Sequence, residues 1–394
     1  MFKNYLKVAF RQIWRHKGYA TINILGLSVG IASCILIMLF VKSEWSYDRF
    51  HSKADRLYRV WVKEDYGGDQ VFINTVTPVP VATAMSNAFP EIEAASRVYK
   101  FNTAVSIAED EFNENIHMVD SAFFQMFDFP LVQGNADKPF PNRNSIILTK
   151  SMAKKYFGND DPMGKTLQLM LNEEKQPFTV VGLVDTYPDE SSIRFDMLIS
   201  FANFYNIFPE RVNQAWFSVF LETFILLNDQ TSAEALAQKI PAMLQQQLGE
   251  EATESKYQLN LQPIAEIHLD NTLPAGNEPI SNPMYANVLS IIGILILLIA
   301  CINFVTLSIG RSTTRNLEVG IRKVLGAERQ QLIRQFWGEA FLLTVIAVVL
   351  AIGLSIVLLK PYNQLINQEL SISFSPFFIL FCLSIMLIIG FIAG

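Results

Sequence analysis

The sequence predicts a membrane protein: an α-helical bundle of four transmembrane helices, with a large α+β extracytoplasmic domain inserted between helices 1 and 2. Three observations lead there. Four stretches of the 394-residue chain carry almost no charge, and only 17% of all residues are charged, against roughly 25% in soluble domains. Basic residues concentrate beside those stretches. About 240 residues of mixed strand-like and helix-like patterning separate the first stretch from the second.

Residues 1–18 carry Lys3, Lys7, Arg11, Arg15 and Lys17 and no acid. Helical spacing puts Phe2, Leu6, Ala9, Phe10 and Ile13 on one face, with Lys7, Arg11 and Arg15 on the other. This pattern suits a cytoplasmic helix lying in the membrane interface. The apolar stretches follow at 19–41, 285–309, 336–359 and 376–394. Each has about the 20 residues needed to cross a bilayer core at 1.5 Å per residue. Ile31-Ala32-Ser33-Cys34 imitates a lipoprotein cleavage site, but the chain stays apolar after Cys34, so the first helix is expected to be retained. The fourth stretch runs to Gly394 without a basic anchor, and a helix cut by the chain end is the expectation there.

Orientation follows from charge. Between the second and third stretches, residues 310–335 carry six basic and two acidic side chains, a local charge of +4, whereas 42–284 carries −14. By the positive-inside rule the N-terminus and the 310–335 segment are cytoplasmic, and 42–284 and the short 360–375 loop lie outside. The overall charge of −6 averages over two compartments. No nucleic-acid partner is expected.

Within 42–284, Leu57–Lys63 and Phe178–Val184 read as strands, rich in β-branched and aromatic residues. Pro78–Phe89, Ser121–Phe127, Thr149–Phe157 and Thr231–Leu248 read as helices, the first opened by proline and the others by Ser or Thr caps. Glu109-Asp110-Glu111 reads as solvated loop. In the membrane, Gly26 and Gly30 form a small-xxx-small step through which another helix can approach closely. Asn23 and Asn303 are costly at membrane depth unless they hydrogen-bond to a partner, and interhelical bonding is expected.

Chemical motifs are scarce. Gly158-Asn-Asp-Asp-Pro-Met-Gly164-Lys165-Thr166 imitates a phosphate-binding loop but has five residues between its glycines instead of four, so its backbone amides cannot converge on phosphate. A turn closed by Gly164 is the better reading. His16, His51, His117 and His268 are scattered without metal-ligand spacing, and no Gly-x-Ser-x-Gly elbow is present. The three cysteines, Cys34, Cys301 and Cys382, all fall in apolar stretches, which excludes a disulfide framework or a thiolate zinc cluster. No catalytic, cofactor or metal residues are assigned, and an enzyme is not expected.

The most informative segment is 315–332. Leu317, Ile321, Val324 and Leu325 repeat at helical spacing, and Glu318 and Arg322 form an i, i+4 pair. Lys323 adds charge, and Gly326 can end the helix in a left-handed turn. Taken alone, such a helix fits either an interfacial anchor or a docking element.

Here the chain resembles a known family. Ala300-Cys-Ile-Asn303-Phe followed by Glu318-Val-Gly-Ile-Arg-Lys-Val-Leu-Gly-Ala327 is similar to the signature of FtsX-like ABC transporter permeases, the group that includes the MacB and LolC/LolE types. Outside the membrane, Ala54-Asp-Arg-Leu-Tyr-Arg-Val60, Phe127-Asp-Phe-Pro-Leu131, Lys155-Tyr-Phe-Gly158, Pro162-Met-Gly-Lys-Thr-Leu167 and Phe178-Thr-Val-Val-Gly182 resemble the MacB-like periplasmic core domain. The resemblance implies a porter-like part at 44–101 and 216–284 around an inserted part at 102–215, followed by an FtsX-like permease domain at 285–394.

It further implies a multi-pass permease of the inner (plasma) membrane. Leu317, Glu318, Ile321, Arg322, Lys323, Val324, Leu325 and Gly326 would couple to a separate cytoplasmic ATPase. Helix motion would then be transmitted to the outer domain for export or extraction of a drug, peptide or lipid-linked cargo. The alternative is a transmembrane regulator that mechanically activates an envelope hydrolase. The remaining expected partners are a second permease unit, in another chain or in the second half of a longer one, and a periplasmic or outer-membrane protein.

Overall fold

The computed structural model describes residues 17–68, 70–314, 321, 324 and 329–393. The amphipathic helix expected over residues 2–17 lies almost wholly outside the described residues. An uninterrupted run of apolar and small residues sustains a helix over Lys17–Ser46. Others cover Pro283–Thr314, Arg329–Ile366 and Pro376–Ala393. The first three are long and apolar enough to cross a membrane, and the fourth, apolar over Pro376–Ile392, is shorter than a full span. The described residues fall into two compact units, one holding those up to Ser43 and from Met284 onward, the other Glu44–Pro283.

In the membrane unit, the first, second, third and fourth helices share one apolar core, built around Ile31, Ile35, Phe304, Ala347, Ala351 and Ile389. Many side chains on the second helix face outward, among them Ile291, Ile294, Ile299 and Ile302. Exposed aliphatic surface on this scale suits lipid as solvent.

The outer unit is built on eleven strands among the described residues: β1 (Leu57–Asp65), β2 (Val71–Asn74), β3 (Ile92–Ile107), β4 (Asp110–Val119), β5 (Leu131–Gln133), β6 (Ser145–Thr149), β7 (Thr166–Leu171), β8 (Glu174–Val184), β9 (Met197–Ser200), β10 (Glu222–Leu227) and β11 (Gln258–Pro263). Their order is β11-β1-β10-β3-β4-β9-β6-β8-β5, with β2 beside β1 and β7 bridging β3 and β8. Most pairs are antiparallel, but β4 with β9 and β6 with β8 run parallel. Strand β3 is 16 residues long and pairs with β10 through its first half and with β4 through its second. The β7–β8 hairpin turns on Asn172 and Glu173, both at positive φ, the backbone of a two-residue turn matched to strand twist.

Three apolar cores pack on this sheet. One joins Val60 and Val62 to Met85, Ile240 and Leu244; a second gathers Val105, Leu148, Phe178 and Phe204; a third, rich in phenylalanine, draws on Leu57, Phe123, Phe129, Phe195 and Phe224. The third takes residues from β1, β3, β4, β6 and β10, so it spans the sequence positions at which the chain was expected to divide.

Several local expectations need correction. The helix within Ser121–Phe127 covers only Phe123–Met126 and has no side-chain cap. The helix expected over 231–248 is two, Ala233–Ala237 and Ile240–Leu248, with Ser232 as the cap of the first and Pro241 within the first turn of the second. Proline lacks the N–H that would continue one helix into the other. Asp110 and Glu111 are not loop: they begin β4, where Glu111 accepts from Ser106 and pairs with Lys175 at 2.7 Å. Lys150–Phe157 is helical, and the side chain of Thr149 caps it by accepting from the Met152 N–H.

Candidate functional site

Two places concentrate polar contacts: the seam between the first membrane helices, and the two ends of the outer unit, where the chain enters and leaves it. At the seam, Gly30 leaves no space for a side chain, since a Cβ there would lie 2.7 Å from Cβ of Ala300. A Cβ on Gly26 would stand 3.4 Å from Nδ2 of Asn303. The small-residue step therefore faces the Ala300–Asn303 turn of the second helix. Asn303 itself is largely exposed in the single chain.

Asn23 departs from expectation: it is 1% exposed, yet neither of its amide atoms has a hydrogen-bond partner among the described residues. The interhelical polar contacts come instead from small hydroxyl and thiol groups donating to backbone carbonyls. Cys34 donates to the Gly293 carbonyl at 3.2 Å, Ser28 to Ala347 at 3.1 Å and Ser355 to Ala32 at 3.4 Å. Tyr19 and Ser308 share a further bond of 3.0 Å. Of the residues assigned to coupling, Leu317, Glu318, Arg322, Lys323, Leu325 and Gly326 lie outside the described residues. Ile321 and Val324 are helical, with 55% and 88% of their surface exposed.

Sequence reasoning missed the second place. The first helix runs on through Glu44, whose carboxylate is buried and accepts from His268 Nε2 at 3.3 Å and from the Ser281 hydroxyl at 2.5 Å. A carboxylate can only accept, which puts the His268 proton on Nε2. Tyr47 stacks on the same imidazole, 3.3 Å between centroids and 1° from parallel. The Ser281 N–H donates to the His268 carbonyl at 2.6 Å.

The chain then turns at Asp48, which adopts φ of 57° and donates its N–H to the Glu190 carbonyl. Its Oδ1 accepts from the Ser192 N–H at 2.8 Å, and burial pushes its carboxyl up to about 6. The exit of one long helix and the approach to the next, two residues before Pro283, are thus tied through one histidine.

The approach segment is anchored again on the sheet. Arg59 and Glu222, 1% and 2% exposed, pair at 3.0 Å across β1 and β10. Arg59 Nε and Nη2 also donate to Gln262 on β11, and Asn277 donates its side-chain and backbone N–H groups to Glu222. Burial pushes the Glu222 carboxyl up, while Arg59 opposes the shift. Gly276 closes over the pair, where any Cβ would stand 1.9 Å from Glu222 Oε1. The available signal was a lone charge inside an apolar strand, Arg59 in Leu57-Tyr-Arg-Val-Trp-Val and Glu222 in Leu221-Glu-Thr-Phe-Ile-Leu.

The near-match to a phosphate loop is a turn. Gly158 and Gly164 sit at positive φ, Lys165 pairs with Asp160 at 2.9 Å, and the Gly164 N–H donates to the Val180 carbonyl. Among the described residues no three His, Cys, Asp or Glu side chains converge as a metal site would require.

Two family models cover the chain: the MacB-like periplasmic core domain matches residues 20–243, and the FtsX-like permease C-terminal region matches 290–394. The chain belongs to the MacB-like, FtsX-like family of ABC transporter permeases. The permease is 24% identical over 383 residues to the pyoverdine export ATP-binding/permease protein PvdT of Pseudomonas syringae pv. syringae, an alignment covering 90% of this chain and 52% of that protein. It is 20% identical to the macrolide export ATP-binding/permease protein MacB of Acinetobacter baylyi, over 96% of this chain and 55% of that one.

The permease therefore spans about half the length of these two relatives. Against YvrN of Bacillus subtilis, an uncharacterized ABC transporter permease, identity is 23% over 88% of this chain and 85% of that one. Among solved structures, the periplasmic region of MacB from Actinobacillus actinomycetemcomitans aligns with 51% of this chain and 87% of its own, at a TM-score of 0.36 and 15% identity. The permease is thus a membrane protein carrying an extracytoplasmic MacB-like domain.

Proposed function

We propose that this permease is the membrane subunit of a mechanotransmission ABC transporter, in which a separate cytoplasmic ATPase drives helix motion and the outer unit carries that motion to cargo. The observation that supports it best is the pair of family matches, the MacB-like periplasmic core domain over residues 20–243 and the FtsX-like permease C-terminal region over 290–394. The Glu44–His268–Ser281 ring adds that the two ends of the outer unit, where the chain leaves one long helix and approaches the next, are bonded to each other. The four helices act as one bundle, the N-terminus and the 310–335 segment are cytoplasmic, and the outer unit is inserted between helices 1 and 2. Its porter-like part is 44–101 with 216–284, and 102–215 is the inserted part.

The membrane is the inner (plasma) membrane, and the working assembly contains a second permease unit and a partner outside the membrane. The relatives named for pyoverdine and macrolide export favour export of a drug, peptide or lipid-linked cargo. The size of the outer unit favours transport over activation of an envelope hydrolase. No catalytic role is assigned to the chain.

The test is Ile321→Asp, measured by co-purification of the ATPase and by its stimulated hydrolysis. An unpaired carboxylate forced into an apolar contact costs several kcal/mol, and each 1.4 kcal/mol is about tenfold in affinity. The variant is expected to insert normally while losing the ATPase at least about tenfold. Arg322→Glu exchanges an i, i+4 attraction for a repulsion of only a few tenths of a kcal/mol within the helix, so a larger effect reports a charged partner. Unchanged ATPase binding and stimulation in Ile321→Asp would rule out docking through this segment.

A further inference from the structure

The outer unit contains a cleft of about 420 Å³, within the roughly 300–1,000 Å³ typical of small-molecule sites. Its floor is β4, its wall the aromatic pair Tyr187 and Phe195, and its rim the 185–196 loop with the approach segment. Two of its features have no part in the fold's own bonding.

The first is His117. The residue is 2% exposed, and its Nδ1 is buried without a hydrogen-bond partner among the described residues. Such groups are nearly always satisfied in native proteins. Burial, with Lys100 adding to it, holds the imidazole down at about 3, so the ring is neutral at physiological pH. An unfilled ring nitrogen beside an open cleft is a place for a ligand atom.

The second is charge. Two of the cations lining the cleft are paired with carboxylates, Lys100 with Glu278 at 2.6 Å and Lys150 with Asp185 at 2.7 Å, whereas Arg194 donates to neutral oxygens, the Asp189 carbonyl and the Tyr47 hydroxyl, and keeps its charge. The carboxylates of Asp189 and Asp196 also line the cleft, are exposed, and make no hydrogen bond or ion pair among the described residues. Lys155, the other cation near Asp196, is paired with Glu114. Two unpaired carboxylates thus stand against the one unneutralised guanidinium of Arg194, and the balance of charge in the cleft is negative. Tyr187 and Phe195, 5.2 Å apart and stacked, add an aromatic wall that attracts cations. A metal ion does not fit, because no three ligating side chains converge among the described residues.

We infer that this cleft binds a small amine-bearing molecule, its ammonium group on Asp196 and a polar atom on the free ring nitrogen of His117. The inference concerns the outer unit alone and does not rest on the coupling mechanism.

The test is calorimetric titration of the full chain in detergent with tyramine and with spermidine. Tyrosol, which carries a hydroxyl in place of the ammonium, and 4-hydroxyphenylacetate, which carries a negative charge, are the controls. At least one amine is expected to bind, tyrosol at least about tenfold more weakly than tyramine, and the anion not at all, as a charge-assisted hydrogen bond requires. Asp196→Asn should weaken amine binding about tenfold or more, and His117→Phe about fivefold. Glu254→Gln, on a helix away from the cleft, should change nothing. Asp196 is exposed, so its variant folds and carries the test even if His117→Phe does not. Failure of both amines to bind, equal binding of tyrosol and tyramine, or full binding by Asp196→Asn would each overturn the inference.

Discussion

The buried pair between Arg59 and Glu222 makes the strongest quantitative demand on the outer unit. Both side chains are withdrawn from water, and both are held by neutral partners as well, Gln262 on one side and Asn277 on the other. Removing one partner of such a pair leaves an unpaired buried charge and costs about 3–5 kcal/mol, a large part of the roughly 5–15 kcal/mol that holds a domain folded. For a unit of about 240 residues, with 2–4 °C lost per kcal/mol, Glu222→Leu should lower the unfolding midpoint by roughly 6–20 °C.

The two single variants should also differ in pH dependence. An arginine cannot discharge, so Glu222→Leu is costly at every pH. A carboxyl left without Arg59 can take up a proton, and its folded-state pKa is already raised. Its contribution to stability is present at low pH and lost as pH rises from the unfolded value through the folded one, so Arg59→Met should become steadily more costly above about pH 4.5. The assay is thermal and denaturant unfolding of the purified chain across pH, with Arg59→Met/Glu222→Leu completing the cycle. A coupling of at least about 2 kcal/mol is expected. Additivity within about 0.5 kcal/mol would refute the claim that the pair acts as a unit.

Further expectations rest on other sites. Gly30→Leu should push the first two membrane helices apart and cost about 1–3 kcal/mol in detergent unfolding, while Gly18→Ala, with nothing within 4 Å of its Cβ, should be neutral. The outer unit should lose stability in acid. His51, held at about 4, and His117, held at about 3, stay neutral in the fold while the unfolded chain takes up protons below about 6.5. His51 alone then accounts for about 3 kcal/mol lost between roughly pH 6.5 and 4. Asp48, raised to about 6, works in the opposite direction over a narrower shift. His51→Phe should therefore flatten the acid limb of a stability–pH curve. Lys165→Ala breaks a mostly exposed pair with Asp160 and a contact with the Phe157 ring, and should move stability by no more than about 1–2 kcal/mol, with no effect on ATP hydrolysis by the complex.

Legibility in the sequence followed the range of the interactions. The apolar stretches were plain because a span needs some 20 uncharged residues in a row, a local property. The cap on Lys150–Phe157 was plain for the same reason, since Thr149 and Met152 are three residues apart. Strands β3 and β4 were missed because Lys100, His117 and Glu114 interrupt the apolar alternation on which a strand reading depends. Two of those polar residues are explained by partners 41 and 178 positions away, Glu114 by Lys155 and Lys100 by Glu278. The break between Ala237 and Ile240 was visible as Pro241 but was outweighed by the apolar period on either side.

The polar ring at the outer end of the first helix was illegible for a further reason. Glu44 follows Ser43 at the edge of an apolar run, where an acid looks like an ordinary solvated boundary. Its partners His268 and Ser281 lie 224 and 237 residues further on. Neither belongs to a motif, and a lone histidine is more often structural than functional. A buried carboxylate held by an imidazole and a hydroxyl is a structural feature by its chemistry, and its place in the chain, in the last turn of one long helix and just ahead of another, makes it the bond that joins the two ends of the outer unit to each other. Tyr47 stacks on the same histidine and Asp48 fixes the next turn of backbone to the Glu190–Ser192 loop, so the entry of the chain into the outer unit is held at three successive points that are all distant in sequence from their partners.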